Sequence, residues 1–378
     1  MHGSERSAEA LALVVEQETV LADYPLACGV EKGVVLYDAQ KWAGCSGHVR
    51  DGLRAELARV LSGGPGVFVL KRAYSDLDVI NEATAIFESI IAEEQAAGGE
   101  AGDHFGKPGA NARVWNAQQK LALRAPEVFA DYFSNDALAV ASEAWLGPGY
   151  QVTSQVNLVY PGGQAQEPHR DYHLGFMSDE QAGAYPMHVH AMSALLTLQG
   201  AIAHCDMPVD SGPTMLLPHS QKFQHGYLAY RRTDVKEYFA GHMVQLPLEK
   251  GDVIFFSPAL IHGAGTNRTS DIDRMANLLQ VSSAFGRALE ALDRLAMCHA
   301  VYPVLLAHLD DWPSWAVDNV ISACAEGYPF PTSLDNDQPV GGMAPESQAA
   351  IVRKALSDHA PSGLVLEQLT AAAQRQLP

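Results

Sequence analysis

The N-terminal part of the chain is dominated by helical spacing of apolar residues. This spacing predicts a weakly amphipathic helix over residues 7–23 and a second helix over 50–61, which Ser-Gly-Gly-Pro-Gly separates from a buried strand at 67–70. A long helix follows Ser75, a candidate N-cap, and reaches residue 96. A further helical segment is predicted over 126–146.

From residue 150 the pattern changes to the short apolar and alternating runs typical of β-strands. Strands are predicted at residues 150–160, 188–199, 215–218, 242–248, 253–257 and 275–283. Glu-Lys-Gly-Asp at 249–252 predicts a hairpin between the two apolar runs that flank it. Helical spacing then returns at residues 288–308, 313–326 and 345–359.

This order of elements predicts the α+β class, with a β-rich core between helical flanks. We expect an N-terminal helical extension over residues 1–49, a central domain over 50–286 with helical support, and a C-terminal helical extension over 287–378.

Composition and charge narrow the range of partners. Of 378 residues, 47% are hydrophobic and 18% charged, as in a globular protein, and the net charge of −19 without a basic patch disfavours nucleic acid and anionic membranes. The five cysteines are dispersed without a CxxC pair, and no window has the apolar length of a membrane span. We expect a soluble, cytoplasmic protein that binds a small molecule; a homo-oligomer is compatible with the sequence.

Three residues form a candidate metal site. His169 and Asp171 are two apart on an extended segment, so their side chains point the same way, and His262 follows an apolar strand just before Gly-Ala-Gly. Two histidines and one carboxylate on one face, with the opposite face open, suit non-haem iron(II). The open positions would accept a bidentate 2-oxo acid and O₂.

Candidate cosubstrate residues lie near this site in the predicted sheet. Arg274 begins an apolar strand, and its planar guanidinium matches the distal carboxylate of 2-oxoglutarate. Arg268 is a competing candidate in what reads as an exposed turn. Asn157, on the polar face of the strand before the metal motif, and Thr214, in a Gly-Pro-Thr turn, are further candidate contacts to 2-oxoglutarate.

Candidate substrate residues lie mainly on the segment 103–121, which is rich in turn formers yet carries aromatic side chains. Lys107, Arg113 and Trp115 are predicted to cover the mouth of the site, and Arg113 to bind an anionic group of the substrate. His173, just after the metal motif, either faces the substrate or caps a loop.

Four other polar residues on predicted strands are expected to have no role in the site. Thr153 and Gln155 are expected on an ordinary solvent-facing side of their strand, and His188 and His190 are expected to pack within a sheet.

The ordered motifs PHRDYHLGF, SGPTMLLPHSQ and KGDVIFFSPALIHGAGTNR, followed by Arg274, resemble the phytanoyl-CoA dioxygenase-like (PhyH) family of iron(II)/2-oxoglutarate oxygenases over about residues 50–285. The resemblance implies a double-stranded β-helix (jelly-roll or cupin-like) barrel. It also implies iron binding by His169, Asp171 and His262, and 2-oxoglutarate binding by Arg274. The spacing from His262 to Arg274 is one residue longer than the usual family pattern, which keeps Arg268 open.

The expected reaction is dioxygenation, most simply hydroxylation of an unactivated C–H bond, with release of succinate and CO₂. Asp171 favours oxygenation over halogenation, because related halogenases need that position vacant for halide. An acyl-CoA substrate would need clustered basic residues for its phosphates, so a small metabolite is expected. Desaturation and cyclisation stay open. The rivals are a cupin-like metalloenzyme such as an isomerase, with no use for Arg274, and a non-catalytic binding protein.

Overall fold

The structure, a computed structural model, describes residues 4–97 and 110–378. The predicted α+β class is confirmed. The α-helices are α1 (Ala8–Val15), α2 (Gly47–Ser62), α3 (Leu77–Ala96), α4 (Ala117–Arg124), α5 (Pro126–Phe133), α6 (Asp136–Leu146), α7 (Asp179–Gly183), α8 (Met187–Leu195), α9 (Thr233–His242), α10 (Arg294–His308), α11 (Ser314–Cys324), α12 (Gln348–Ser357) and α13 (Ser362–Arg375). The strands are β1 (Gly29–Glu31), β2 (Val34–Asp38), β3 (Val67–Lys71), β4 (Asn111–Val114), β5 (Gln151–Val159), β6 (Thr197–Ala203), β7 (Met215–Leu216), β8 (Val253–Phe256), β9 (His262–Gly263) and β10 (Arg274–Ser282).

Eight strands form one large sheet in the order β1-β2-β3-β8-β6-β10-β5-β4, and β7 pairs with β9 in a small second sheet. Only the β2–β3 pair in the large sheet is parallel among the described strands. Single bridges extend the small sheet, joining His169 to His262, Leu216 to Val244 and Met207 to Leu248. These strands form two sheets, and no closed barrel is seen among the described residues.

Alternation along the strands divides the interior into two cores. In β3 and β8, Phe68 and Phe255 pack into a core with the helices, whereas Val69, Ile254 and Phe256 belong to a second core with residues of the small sheet. Successive side chains point to opposite faces of a sheet, so each strand contributes to both cores. The helices α10–α13 pack into the first core, behind the large sheet.

Two predicted strands are wrong. Most of residues 188–199 forms α8, and β6 begins only at Thr197; the Trp145 indole donates to the carbonyls of Ala194 and Thr197, where helix gives way to strand. The expectation that His188 and His190 pack within a sheet is therefore wrong, because both lie in α8. In this helix the Nε2 of His190 pairs with the Ala182 carbonyl at 3.0 Å. An apolar run is compatible with either element, and here tertiary packing divides it.

The stretch 242–248 is also not a regular strand, and the predicted hairpin does not form. Leu248 pairs with Met207, while β8 pairs with β3 and β6. The turn at Gly251, whose φ is +89°, therefore carries the chain from the small sheet to the large one. The carboxylate of Asp252 holds this turn by accepting from the Glu249 amide at 2.8 Å.

Several other boundaries differ from prediction. The predicted helix 7–23 shortens to α1, the segment 126–146 divides into α5 and α6, and α3 is capped by Asp76 rather than by Ser75. The strands β1, β2, β4 and β9 and the helices α4, α7, α9 and α13 were not predicted. No helix within residues 4–97 and 110–378 has both the length and the apolar character needed to cross a membrane.

Candidate metal centre

The predicted metal ligands come together. One ligand atom from each of His169, Asp171 and His262 lies within 4.8 Å of the others. The Nε2 atoms of His169 and His262 are 3.7 and 3.3 Å from the two carboxylate oxygens of Asp171. The backbones of the two histidines pair directly, with N–O distances of 2.8 and 3.0 Å, so sheet pairing itself sets the ring positions.

The backbone also fixes the orientation of both rings. The Nδ1 atoms of His169 and His262 lie 2.7 and 2.8 Å from the carbonyls of Glu167 and Leu260. Because a carbonyl only accepts, each Nδ1 carries a proton, so each Nε2, which faces Asp171, is the ring nitrogen available to a metal. Two imidazoles and a carboxylate, each oriented by an outer hydrogen bond, fit a divalent iron ion.

Asp171 is held in its ionised form by its neighbours. Burial opposes ionisation, but the hydrogen bond with His262, the proximity of His169 and a hydrogen bond from Gln199 prevail and lower the pKa of the carboxyl. The Gln199 Nε2 donates to Oδ2, while the Tyr227 hydroxyl donates to the Asp171 carbonyl at 3.2 Å. Gln199 thus holds the carboxylate of Asp171, and Tyr227 holds its backbone.

Arg170, between His169 and Asp171, anchors the segment that carries them. Its buried guanidinium donates to the carbonyls of Ser220 and Phe223, the latter at 3.0 Å, and lies 5.2 Å from the centre of the Tyr227 ring. Burial lowers the pKa of Arg170 to about 10 from its ordinary 12.5, which leaves it charged at neutral pH. The guanidinium occupies the space beside Gly226, where a Cβ atom would overlap it.

The residue after Asp171 is backbone-strained. Tyr172 has φ 62° and ψ 158°, a region that side chains rarely adopt, and its neighbour His173 has φ 38°. The Tyr172 side chain is buried and lines the cavity beside the metal centre. The Nδ1 of His173 lies 2.9 Å from the Ser193 hydroxyl, and His173 is not among the described residues that line the cavity.

A cavity of about 720 Å³ opens beside the triad between the two sheets. The large sheet contributes inward-facing residues of β5, β6, β8 and β10, and the small sheet contributes residues near Thr214 and His262. Such a volume is in the range of pockets that hold small organic ligands.

The predicted cosubstrate residues line this cavity. Arg274 is 6% exposed, and its Nη1 donates to the carbonyls of Ser211 and Gly265 at 2.9 and 3.2 Å. Burial lowers its pKa to about 10, so it stays a cation. Thr214 and Asn157 also line the cavity, whereas Arg268 is exposed and does not.

Some of the predicted substrate residues line the cavity and others do not. Arg113 and Trp115 line the cavity, with the Arg113 Cζ 4.8 Å from the Trp115 ring centre. Lys107 lies outside the described residues. The solvent-facing interpretation of Thr153 and Gln155 is wrong, because both are buried and Gln155 lines the cavity. The large sheet has a covered inner face here, so polarity along β5 marks a site and not a surface.

Sequence reasoning missed several cavity residues with polar side chains, among them Gln199, Gln280 and Glu290. Gln199 contacts the carboxylate of Asp171, and Glu290 reaches the cavity from the loop between β10 and α10. A glutamine at the end of a buried apolar run is a signal that the sequence offered for Gln199. Glu290 lies in a loop after the predicted core and gave no such signal.

The chain matches the family model described as phytanoyl-CoA dioxygenase (PhyH) over residues 63–276, more than half of its length. No curated protein matches it.

Similar solved structures share 18–20% identity. They include the non-haem alpha-ketoglutarate-dependent epimerase SnoN from nogalamycin biosynthesis (20% identity, 62% of this chain and 82% of that chain, TM-score 0.42). The carbocyclase SnoK from the same biosynthesis aligns at 20% identity over 62% of this chain and 86% of its own, with TM-score 0.46. AviO1 from Streptomyces viridochromogenes Tue57 aligns at 18% identity over 65% and 100%, with TM-score 0.44.

Proposed function

Because the chain belongs to the phytanoyl-CoA dioxygenase (PhyH) family, whose members are iron(II)/2-oxoglutarate-dependent oxygenases, we propose that His169, Asp171 and His262 bind its iron and that Arg274 binds 2-oxoglutarate. The protein is an enzyme of this oxygenase type, with Fe(II), 2-oxoglutarate and O₂ as cofactor and cosubstrates. The observation that carries the residue assignment is the convergence of two oriented Nε2 atoms on one ionised carboxylate.

Iron(II) with 2-oxoglutarate supplies the activation of O₂, with oxidative decarboxylation to succinate and CO₂. The protein residues provide position and charge. Asp171 and the two histidines would hold iron from one side and leave the cavity side for the cosubstrates, as such chemistry requires. Gln199 keeps the carboxylate of Asp171 oriented, and the Arg170 guanidinium holds the segment that carries His169 and Asp171.

Arg274 has the chemistry needed for the distal carboxylate of 2-oxoglutarate. Its Nη1 is engaged by two carbonyls, which fixes the plane of the guanidinium while other N–H groups remain for a ligand. A cation at this buried position calls for an anionic partner, since an uncompensated buried charge is costly. Thr214 and Asn157 are placed to contact the same molecule.

We infer that the substrate is a small molecule and that the outcome is hydroxylation of an unactivated C–H bond. The cavity volume of about 720 Å³ supports a substrate of that size bound together with 2-oxoglutarate. We also propose that the two sheets are the halves of a double-stranded β-helix within the catalytic region 50–286, flanked by the extensions 1–49 and 287–378. The cupin-like alternative gives Arg274 no role.

The first experiment is anaerobic reconstitution with Fe(II) and 2-oxoglutarate, followed by visible spectroscopy. We expect a weak metal-to-ligand charge-transfer band in the wild type, and a band that needs far more 2-oxoglutarate in Arg274→Ala. Arg268→Ala is the matched control, because it removes an exposed guanidinium outside the cavity. Bound iron without a band in the wild type would favour the cupin-like alternative, and a band sensitive to Arg268 instead would reassign the anchor.

A further inference from the structure

Away from Arg274, the inner face of the large sheet carries a continuous row of polar side chains that starts at the metal ligand. Gln199 donates to Asp171, and its residue pairs across the sheet with Gln280. The Gln280 Oε1 accepts from Gln155 at 3.4 Å, and Gln155 in turn donates to the Glu290 Oε1 at 3.3 Å. We name Gln199, Gln280, Gln155 and Glu290 the polar row; all four line the cavity.

The hydrogen bonds within the polar row leave acceptors unused at both ends. The Oε1 of Gln199 and the Oε2 of Glu290 are buried and have no hydrogen-bond partner among residues 4–97 and 110–378. The orientation of the Gln199 amide is settled, because only its nitrogen can donate to the carboxylate of Asp171. Proteins rarely leave buried acceptors unpaired, and those beside a cavity point to a ligand that supplies the missing donors.

Glu290 is held ready for such a ligand. Its Oε1 accepts from the backbone N–H of Asn116 at 2.8 Å and from the side chain of Gln155. These bonds fix the carboxyl group and leave Oε2 as its open acceptor. Burial raises the pKa of Glu290, while hydrogen bonds and the nearby charge of Arg113 oppose that rise. Because the charges of Arg113 and Glu290 influence each other, a substrate anion at Arg113 would also approach the carboxylate.

Apolar side chains accompany the polar row. Trp115, Phe176 and Leu289 line the same cavity, and Leu278 lies beside Gln155 in the sheet register. A ligand along the row would therefore meet acceptors on one side and apolar surface on the other. This combination matches a ring or short carbon skeleton that bears hydrogen-bond donors.

We propose that the polar row is the substrate-binding surface and that Glu290, from the loop after the family core, accepts a hydrogen bond from a hydroxyl or ammonium group of the substrate. This inference rests on the proposed function, since it places the substrate between Glu290 and the proposed metal ligand Asp171. It replaces the expectation that the substrate presents an anion to Arg113.

Three cyclohexane derivatives test the proposal, because they differ in one group: cyclohexanol, cyclohexylamine, which is an ammonium ion at neutral pH, and cyclohexanecarboxylate. Their dissociation constants are measured anaerobically by ligand-observed NMR on the enzyme loaded with Fe(II) and 2-oxoglutarate. The variants are Glu290→Gln and Glu290→Ala. The control is Glu237→Gln, an exposed carboxylate on α9.

We expect at least one donor probe to bind the wild type more tightly than the carboxylate does. Glu290→Ala should weaken that binding about tenfold, and Glu237→Gln should leave it unchanged. An ammonium ligand should lose affinity in Glu290→Gln as well, because its charge partner is gone, whereas a hydroxyl ligand should retain most of its affinity through the amide oxygen.

Binding of the donor probes that does not depend on Glu290, preferred binding of the carboxylate, or no binding of either donor would overturn the proposal. The charge-transfer band separates this failure from failure of the proposed function. If the band forms in wild type and both Glu290 variants, the iron and 2-oxoglutarate assignment stands whatever the probes do. If the wild type forms no band, the proposed function itself fails.

Discussion

Replacement of Gly226 by alanine tests how the segment with the candidate ligands His169 and Asp171 is anchored. An added Cβ would overlap Cζ, Nη1 and Nη2 of Arg170, well inside the 3.0 Å that real Cβ atoms keep. The guanidinium fills this space while it donates to the carbonyls of Ser220 and Phe223. Because these atoms are the buried end of the side chain, one of the two groups must move.

The expected cost follows from what the movement breaks. Hydrogen bonds to a charged group each contribute about 1.5–3 kcal/mol, and a buried charge that loses its partners costs about 3–5 kcal/mol. We therefore expect Gly226→Ala to lower the free energy of unfolding by about 3–5 kcal/mol. Since Arg170 lies between His169 and Asp171, the variant should also bind iron more weakly.

Urea denaturation of the iron-free protein measures the stability, and titration of the charge-transfer band measures the iron affinity. Gly52→Ala is the control, since Gly52 lies inside α2 with nothing within 4 Å of the added Cβ. We expect Gly52→Ala to stabilise the protein by about 0.5–1 kcal/mol, because alanine is the better helix former.

A double-mutant cycle decides whether the overlap is the cause. If Gly226→Ala acts by displacing the guanidinium, it should cost little in an Arg170→Met background, so the two changes will be strongly non-additive. Additive costs would refute the reasoning, as would a Gly226→Ala variant with the stability and iron affinity of the wild type.

Three further predictions concern protonation, ligand orientation and a buried carboxylate. Burial lowers the pKa of His204 to about 3 from 6.5, so below pH 6.5 the unfolded chain binds a proton that the folded chain does not bind. The free energy of unfolding should therefore fall by about 2 kcal/mol between pH 7 and pH 5, and the same pH dependence in His204→Gln would contradict this. Gln199→Leu removes the donor to Asp171 and should weaken iron binding about 10–100-fold, as measured by titration of the charge-transfer band. A variant with wild-type iron affinity would show that Gln199 does not orient Asp171. Asp252→Ala should cost about 3 kcal/mol in urea unfolding, because two backbone amides and a lysine lose their buried acceptor. Replacement of Asp358, which forms an exposed ion pair, should cost less than about 0.5 kcal/mol, and equal costs would contradict the prediction.

The candidate metal site was predictable from sequence because its parts are local. His169 and Asp171 are two residues apart on an extended segment, and His262 follows a strong apolar strand, so alternation alone orients them. The structure brings these three side chains together as predicted. What the sequence did not reveal is that His169 and His262 pair through their backbones, because pairing between distant segments leaves no local pattern.

The fold was predictable where a strand is long and apolar, but not where tertiary packing decides between helix and strand. Strands β5, β8 and β10 lie within the predicted ranges or one residue outside them. The run 188–199 could form either element, and contacts of Trp145 with the chain at Ala194 and Thr197 accompany its division. Short strands such as β4 depend on a neighbour for their formation, so composition alone does not mark them.

The polar residues of the cavity were the hardest to predict, because a polar position on a strand fits either solvent or a covered pocket. Gln155 was assigned to solvent on this ambiguity, and only the sheet order, with β5 between β10 and β4, places it inside. Glu290 depends on a loop path that no periodicity describes.

The alternation along β3 and β8 has a consequence for how such an enzyme diversifies. Outward residues such as Phe68 and Phe255 belong to the core shared with the helices, while inward residues such as Ile254 and Phe256 face the chamber. A substitution at every second position therefore reshapes the chamber and leaves the helix-packed core intact. New substrates become reachable through single inward changes that cost stability in the second core but leave the core that holds the helices undisturbed.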